Sequence, residues 1–542
     1  MEPGKSHRGM MKGVLILTIG AIITKILSAS YRIPFQNMAG DIGFYIYQQV
    51  YPFYGLALVL TTSGFPIIIS KFYAEKKAQN DLKSATQFLI ISFFFLVLLG
   101  IASFLAMYFG ADLLAAKMQD GKLAILFKVI SIIFIILPFT AVLRGYFQGN
   151  DIMMPTAVSQ VGEQMIRVVT ILMLTYIFMT GNFLDKKELL YVVGAGATFG
   201  SITGGIVSVV ILGYFWKRMR RGGNPSFSGV WQSIQLTEIA EIVKVLSVQG
   251  FAICITGMLL IFIQLADSLN LYPLLVQTGI ETEAAKALKG VYDRGQPLLQ
   301  LGTILATSMS LSLVPLISSG KLSNNKAFLY QKIQTALKIS ILVGAGGSIG
   351  LFFIIKPTNL MLFDSDAGSS VLAIISLLIL FCSVIITISS ILQGLGKSVL
   401  PAAIILFGFA LKLLLNVPLV REFGTHGAAI SSVVAMVVVL VLLSRQLKKI
   451  FNRRILPKGF LPTIGFGGVL LGGSLLGYLK ITDLFFSDVR LAASFQAISA
   501  VILGGSLYLV YVLRSGMIKE EELLLLPFGS KLMLLLPDRN RR

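Results

Sequence analysis

The chain has 542 residues, 55% of them hydrophobic and only 13% charged, and its mean hydropathy is +0.83. Soluble domains carry about 25% charged residues, so composition excludes a soluble enzyme, a secreted disulfide scaffold and a disordered chain. It leaves an all-α polytopic membrane protein. The formal charge of +21 would point to nucleic acid in a soluble chain. Here the basic residues sit mostly in short loops between apolar runs, which fits the positive-inside rule and no nucleic-acid role.

Runs of about 20 apolar residues are long enough to span a bilayer as helices. Fourteen such runs are predicted, at 13–31, 43–70, 86–110, 123–147, 155–180, 189–215, 245–270, 291–318, 331–355, 370–393, 401–420, 427–444, 460–479 and 491–513. The runs at 43–70 and 291–318 carry the most polar residues. With the N-terminus inside, and with Arg144 and Lys332 at inner span ends counted as inside, 29 of the 46 Lys and Arg fall in inside segments and 11 outside, the other six lying within spans. That bias predicts cytoplasmic N- and C-termini. The start, with Lys5, Arg8 and Lys12 before an apolar stretch and Ser28-Ala29-Ser30 after it, resembles a signal peptide. Lys25 interrupts the apolar region, however, and removing this span would spoil the charge alternation downstream, so it is read as retained. Cys254 and Cys382 lie in apolar runs and do not form a disulfide framework. His7 and His426 are too few for zinc.

A repeat is visible. Phe147-Gln148-Gly149 followed by Pro155 matches Leu392-Gln393-Gly394 followed by Pro401, and Phe65-Pro66-Ile67-Ile68 matches Val314-Pro315-Leu316-Ile317, both at an offset of about 245 residues. The expected organisation is an N-terminal lobe of six helices over 1–215, a basic linker at 216–244, a pseudo-symmetric second six-helix lobe over 245–444, and two extra helices with a tail over 445–542. Two parallel lobes are a known transporter layout, with the substrate site between them.

Charged groups inside a span are costly, about 2.5–3.5 kcal/mol for Arg or Lys at mid-bilayer. Apart from Arg144 and Lys332 at inner span ends, six are present: Lys25, Lys128, Arg167, Arg294, Lys338 and Lys412. Lys128 and Lys338 lie near span ends and can snorkel. Lys25 and Arg32 are two helical turns apart and share a face. In span 5, Gln160, Glu163, Gln164 and Arg167 form one polar stripe. Span 7 carries Gln264, Asp267 and Ser268. Span 8 opens with Tyr292-Asp293-Arg294-Gly295-Gln296 and continues to Gln300. Span 2 carries Tyr45, Tyr47, Gln48, Gln49, Tyr51 and Tyr54. Any single Gln of this set can be helix glue. Together the stripes predict a hydrated, net cationic cavity. Glu163 and Asp293 each have an Arg within four residues, which keeps its field positive. Arg presents a fork that suits phosphate, while Tyr and Gln suit sugar hydroxyls and amides. The implied cargo is an anionic polar head group on a lipid.

No catalytic motif stands out, and the chain is not read as an enzyme. Gly394-Leu395-Gly396-Lys397-Ser398 resembles the end of a phosphate-binding loop, but Ile391 replaces the required Gly. Gly194-Ala195-Gly196 and Gly344-Ala345-Gly346-Gly347 read as close helix contacts. Without a nucleotide site, transport has to draw on an ion gradient or the membrane potential.

Several segments resemble one family. Thr24-Lys25-Ile26-Leu27 with Arg32, Gly64-Phe65-Pro66 with Ser70-Lys71-Phe72, Arg144-Gly145-Tyr146-Phe147-Gln148-Gly149, Pro155-Thr156-Ala157-Val158-Ser159-Gln160 and Tyr292-Asp293-Arg294 are similar to the lipid flippases of the mouse virulence factor type. They are closer to the Gram-positive polysaccharide biosynthesis and stage V sporulation B branch, in one superfamily with the multidrug and toxin extrusion exporters. The resemblance covers nearly the whole chain. It implies a bacterial cell-membrane protein of two lobes and fourteen helices, alternating access, a polyprenyl-diphosphate-linked glycan as cargo, a tail groove along the last two helices, and neighbouring cell-wall synthesis proteins as partners.

By that resemblance Lys25, Arg32 and Arg294 match cavity cations, with Lys25 where many relatives carry Arg. Arg167, Gln49, Gln160, Gln164 and Gln296 complete the expected substrate-binding set. No cofactor or metal is expected. Some relatives bind an ion at an acid in span 7 with partners in span 11; Asp267 fits the first role, but Lys412 places a cation in the second. Membrane potential, H+ and Na+ all remain open as the coupling source. The alternatives are a cation-coupled multidrug antiporter of the same superfamily, which predicts an acidic cavity, and a membrane scaffold.

Overall fold

The computed structural model describes residues 3–181, 185–220, 235–304, 306–308, 317, 326–452, 455–485, 489–518 and 520. Among these the chain is helical, with no strand. In hydrocarbon every backbone N–H and C=O needs a partner within the protein, and a helix supplies one inside each segment. Thirteen helical stretches among the described residues are long and apolar enough to cross a membrane. The protein is thus an all-α, multi-pass membrane protein, and the count is close to the fourteen expected.

The differences have physical causes. The first stretch, Leu15–Ala78, runs for 64 residues, about 96 Å of helix against a core about 30 Å thick. It consists of α1 (Pro3–Ser30), α2 (Arg32–Val59) and, after a wide π-type turn at Leu60–Gly64, α3 (Phe65–Ala78). Within α2, Gly40 takes φ 69° and ψ −179°, a conformation open essentially to glycine alone, and this separates the two predicted spans. The chain continues through α4 (Leu82–Phe109), α5 (Ala111–Lys117), α6 (Ala124–Ser131), α7 (Ile133–Gly149), α8 (Met154–Thr180) and α9 (Lys186–Arg220). Of the expected linker, residues 221–234, including Arg221, lie outside the described residues, and its end forms α10 (Leu236–Val245). The seventh predicted run, 245–270, falls across two of the thirteen stretches, Leu236–Gly257, which ends in α11 (Phe251–Gly257), and Leu259–Gln277, which is α12; the two meet at Met258. The eighth begins with α13 (Thr282–Asp293) and α14 (Gly295–Gly302). Most of its second half, including Val314, Pro315 and Leu316 of the repeat, lies outside the described residues.

The remaining helices are α15 (Lys326–Phe363), α16 (Ser369–Ser376), α17 (Leu378–Gly394), α18 (Val399–Phe423), α19 (Thr425–Phe451), α20 (Phe460–Thr482) and α21 (Arg490–Arg514). The chain packs as two compact units, one of Met1–Ile304 with Gly396–Ala428, the other of Leu305–Leu395 with Ala429–Arg542.

In the second unit α15 packs on α17, α20 and α21. Leu342, Ala345, Leu471, Leu475, Ala500 and Tyr508 are buried together there, and the Tyr508 hydroxyl donates to the Leu342 carbonyl at 3.0 Å. The Gly344–Gly347 stretch serves close packing, as its sequence suggests: a Cβ on Gly346 would lie 2.7 Å from the Tyr508 ring. Val469, Val501 and Ile502 point away from this core and are exposed, as side chains facing lipid are.

In the first unit α1 packs on α8, α8 on α9, and α2 on α9, α12 and α13, while α18 packs on α11 and α12. All the predicted site residues belong to this unit.

Candidate functional site

The polar residues of the first unit gather on the faces where α1, α2, α8 and α12–α14 meet. Helical hydrogen bonding runs through Tyr31, whose N–H donates to Leu27 and whose carbonyl accepts from Phe35. Lys25 and Arg32 therefore keep one face across the α1–α2 boundary. Along α2, Tyr47, Tyr51 and Tyr54 follow at helical spacing, and with Tyr31 they form an aromatic wall of buried rings.

Two guanidinium groups rest against this wall. Arg32 is fully buried, lies 4.1 Å above the Tyr51 ring beside the Tyr31 hydroxyl, and has no well-aligned hydrogen bond at any of its three side-chain nitrogens. Arg167 on α8 lies 4.1 Å above Tyr54 and donates through Nη2 to the Tyr31 hydroxyl at 2.9 Å and the Tyr47 hydroxyl at 2.7 Å. Its Nη1 reaches Gln164 at 3.4 Å, and its Nε is without a partner. The Tyr54 hydroxyl, Ser28 Oγ, Gln164 Nε2 and the side-chain oxygens of Gln48, Gln49 and Gln296 are likewise buried without a hydrogen bond. Buried polar groups are ordinarily paired, so this concentration of unmet donors and acceptors marks a place prepared for a polar ligand or for water.

The acids lie elsewhere, and each has a cation. Asp267 Oδ1 accepts from Lys412 at 2.6 Å and from Asn416 at 3.2 Å, and its Oδ2 from the Tyr292 hydroxyl at 2.9 Å. Asp293 accepts from Lys289 at 2.6 Å. Arg294 grips Asp41 with two nitrogens, Nε at 3.0 Å and Nη2 at 2.7 and 2.8 Å. Glu163 accepts from Arg144 at 2.7 Å, and Arg144 also donates to Ser159, Ser208 and the Thr61 carbonyl.

Two sequence expectations therefore change. Glu163 is balanced by Arg144 and not by Arg167, and Asp293 by Lys289 and not by Arg294. Neighbours three or four apart on a helix have adjacent Cβ atoms, but Arg is long enough to choose a partner on another helix. Within the spans of the first unit, Lys25, Arg32 and Arg167 have no acid within ion-pair distance, whereas Arg144, Lys289, Arg294 and Lys412 each have one. The positive surplus expected in the interior is thus carried by α1, the start of α2, and α8.

The predicted residues fall into groups. Arg32, Arg167 and Gln164 come together around the tyrosines. Gln49 donates to the Ser268 carbonyl at 3.1 Å and ties α2 to the Asp267 cluster. No hydrogen bond or ion pair among the described residues joins Lys25, Gln160 or Gln296 to the tyrosine wall. Lys25 and Gln160 are half-buried and Gln296 is buried. Of the span-end lysines, Lys128 reaches Asp112 at 3.0 Å, and Lys338 donates to the Met517 carbonyl.

Sequence reasoning passed over Asp41, Asp120, Tyr191 and Lys286. They stand near predicted loops, where charge is ordinary, and no local pattern distinguishes them from solvated residues.

Comparison with known proteins points to one family. The family described as polysaccharide biosynthesis protein matches residues 10–321. The uncharacterized membrane protein YabM of Bacillus subtilis (strain 168) is 42% identical over 98% of this chain and 97% of its own length. The lipid II flippase MurJ of the same organism is 24% identical over 94% of this chain and 96% of its own. A solved structure of lipid II flippase MurJ in an inward closed conformation superposes with a TM-score of 0.63 at 15% identity, covering 93% of this chain and 97% of that one. At that identity the superposition speaks for the fold.

Proposed function

The chain belongs to the polysaccharide biosynthesis protein family of membrane transporters, and on that premise we propose that it carries a polyprenyl-diphosphate-linked glycan precursor of the cell envelope from the inner to the outer leaflet by alternating access. The observation that carries the reading is Arg32, a fully buried guanidinium with no acid partner and no well-aligned hydrogen bond, backed by Arg167 and Lys25. An unpaired guanidinium in a low-dielectric interior favours an anion strongly, and a diphosphate offers oxygens in the geometry its fork requires. Tyr31, Tyr47, Tyr51 and Tyr54 add ring faces and hydroxyls suited to a sugar. Arg294, Gln49, Gln160, Gln164 and Gln296 complete the proposed cavity, and the polyprenyl tail stays in lipid.

The drive we propose is the membrane potential, negative inside, with the termini cytoplasmic. Expelling a head group of charge −2 gains about 4.6 kcal/mol per 100 mV, at about 2.3 per charge. Asp267 is poorly suited to a sodium ion, because Lys412, Asn416 and Tyr292 already donate to its two oxygens. The same pairing leaves no free carboxylate in the described interior for a cationic drug, so the geometry disfavours the antiporter.

Mass spectrometry of lipids that co-purify with the protein tests the reading. A polyprenyl-diphosphate glycan enriched with the parental chain and lost with Arg32→Ala is the expected result. Equal recovery of that lipid with both, or organic cations bound in its place, would overturn it.

A further inference from the structure

α13 is set off from its neighbours at both ends. Gly279 before it takes φ 91°, and its last residue, Asp293, is separated from α14 by Arg294 alone. Two fastenings hold it. At its C-terminal end Arg294 grips Asp41, and the Gly290 backbone presses so closely on the Asp41 carbonyl that no side chain would fit between them. Eight residues earlier, about 12 Å along a helix, Lys286 makes the second.

That second contact lies outside the proposed cavity. Asp120 is buried in the turn before α6 and accepts from the Tyr191 hydroxyl at 2.8 and 2.7 Å and from the Tyr45 hydroxyl at 3.2 Å. Lys286 Nζ stands 3.7 Å from Asp120 Oδ2 and donates to the Tyr191 hydroxyl at 2.9 Å, its side chain only 13% exposed. Four segments distant in sequence, α2, the 118–123 turn, α9 and α13, thus converge on one carboxylate. The other charges nearby are arranged around it: Glu283 lies 3.7 Å from Lys286 and 4.0 Å from Lys187, while Lys122 lies over the Tyr191 ring and 3.8 Å from Glu188. Beneath the cluster the Tyr45 ring packs on Tyr272 with centroids 5.1 Å apart.

We propose that Asp120 and Lys286 form a second latch that holds α13 against the N-terminal helices, and that this latch has to break before this end of the protein opens. A rigid helix fastened at two points a dozen ångströms apart cannot swing away when only one releases, so Arg294 leaves Asp41 productively only if Lys286 leaves Asp120. The charge count places this end outside. The latch's bearing on transport rests on the flippase reading, but its geometry does not.

The test is the accessibility of a cysteine one helical turn below the latch. Ser268 is buried, four residues before Tyr272, and its carbonyl holds Gln49. In a chain lacking Cys254 and Cys382 and carrying Ser268→Cys, a membrane-impermeant maleimide is added to the outside of intact cells. Lys286→Met and Asp120→Asn are each expected to speed labelling at least tenfold at a temperature well below each variant's thermal midpoint in detergent. Lys286→Arg, which keeps the cation, is expected to label as slowly as the parent. Tyr191→Phe removes only the bridging hydroxyl and is expected to fall between. Unchanged labelling in all of the folded variants would overturn the latch. Faster labelling in a protein that retains no glycan lipid would keep the latch and defeat the cargo reading instead.

Discussion

The Lys412 ammonium lies 2.6 Å from Asp267 Oδ1, and both side chains are fully buried, although 145 residues separate them in the chain. Removing one member of such a pair strands a charge in the interior and costs about 3–5 kcal/mol, whereas replacing both with apolar or neutral groups is often close to neutral. Lys412→Met is therefore expected to lower the thermal midpoint sharply, and Lys412→Met combined with Asp267→Asn to restore most of it. A detergent-solubilised thermal melt of the three variants checks this.

The same pair bears on energy coupling. With a protein ammonium in place at Asp267, transport is expected to proceed at the same rate when external sodium is replaced by choline, and to slow when the membrane potential is collapsed. Flipping of a labelled lipid in vesicles with defined gradients measures both. A requirement for sodium would contradict the assignment.

Arg32 and Arg167 differ in what they already hold. Arg32 is without a well-aligned hydrogen bond, so replacing it with Lys keeps the charge but loses the fork. Retention of the diphosphate lipid is expected to fall about tenfold, which corresponds to about 1.4 kcal/mol, while expression and insertion stay unchanged.

Arg167 is fixed by two tyrosine hydroxyls. Tyr47→Phe is expected to cost about 1 kcal/mol of stability, the usual worth of one buried hydrogen bond. It should be far less than additive with Arg167→Met, because the two changes remove the same contact. A double-mutant cycle read by thermal unfolding gives the coupling.

Gly290 offers a steric test. A Cβ there would collide with the Asp41 carbonyl. Gly290→Ala is expected to push α13 from α2, cost about 1–3 kcal/mol as overpacking does, and loosen the Arg294–Asp41 grip. An increase in Ser268→Cys labelling from outside would report the shift.

Much of the fold was legible in the sequence, because a span announces itself locally. About 20 apolar residues in a row are enough, and the bilayer then forces each run to satisfy its own backbone as a helix. The polar stripe of α8 was legible for the same reason, since helical period alone places Glu163, Gln164 and Arg167 on one face, and the structure buries all three. The lesser misses were also local. The first two spans form one 64-residue stretch because Tyr31 continues the helix and the break at Gly40 is a single residue, and single-residue backbone geometry leaves little trace in hydropathy.

Tertiary structure alone decided which charges cancel. Glu163 has Arg167 four residues away yet pairs with Arg144, nineteen residues back on another helix, and Arg294 passes over its neighbour Asp293 for Asp41, 253 residues distant. Side chains on crossing helices meet according to how the helices pack, and a long guanidinium can reach any acid the crossing brings near. The composition determined that the interior would carry more cations than acids. The packing determined that in the first unit the excess rests on Lys25, Arg32 and Arg167, because α1 offers no acid and Asp41 on α2 and Glu163 on α8 are claimed by cations from other helices.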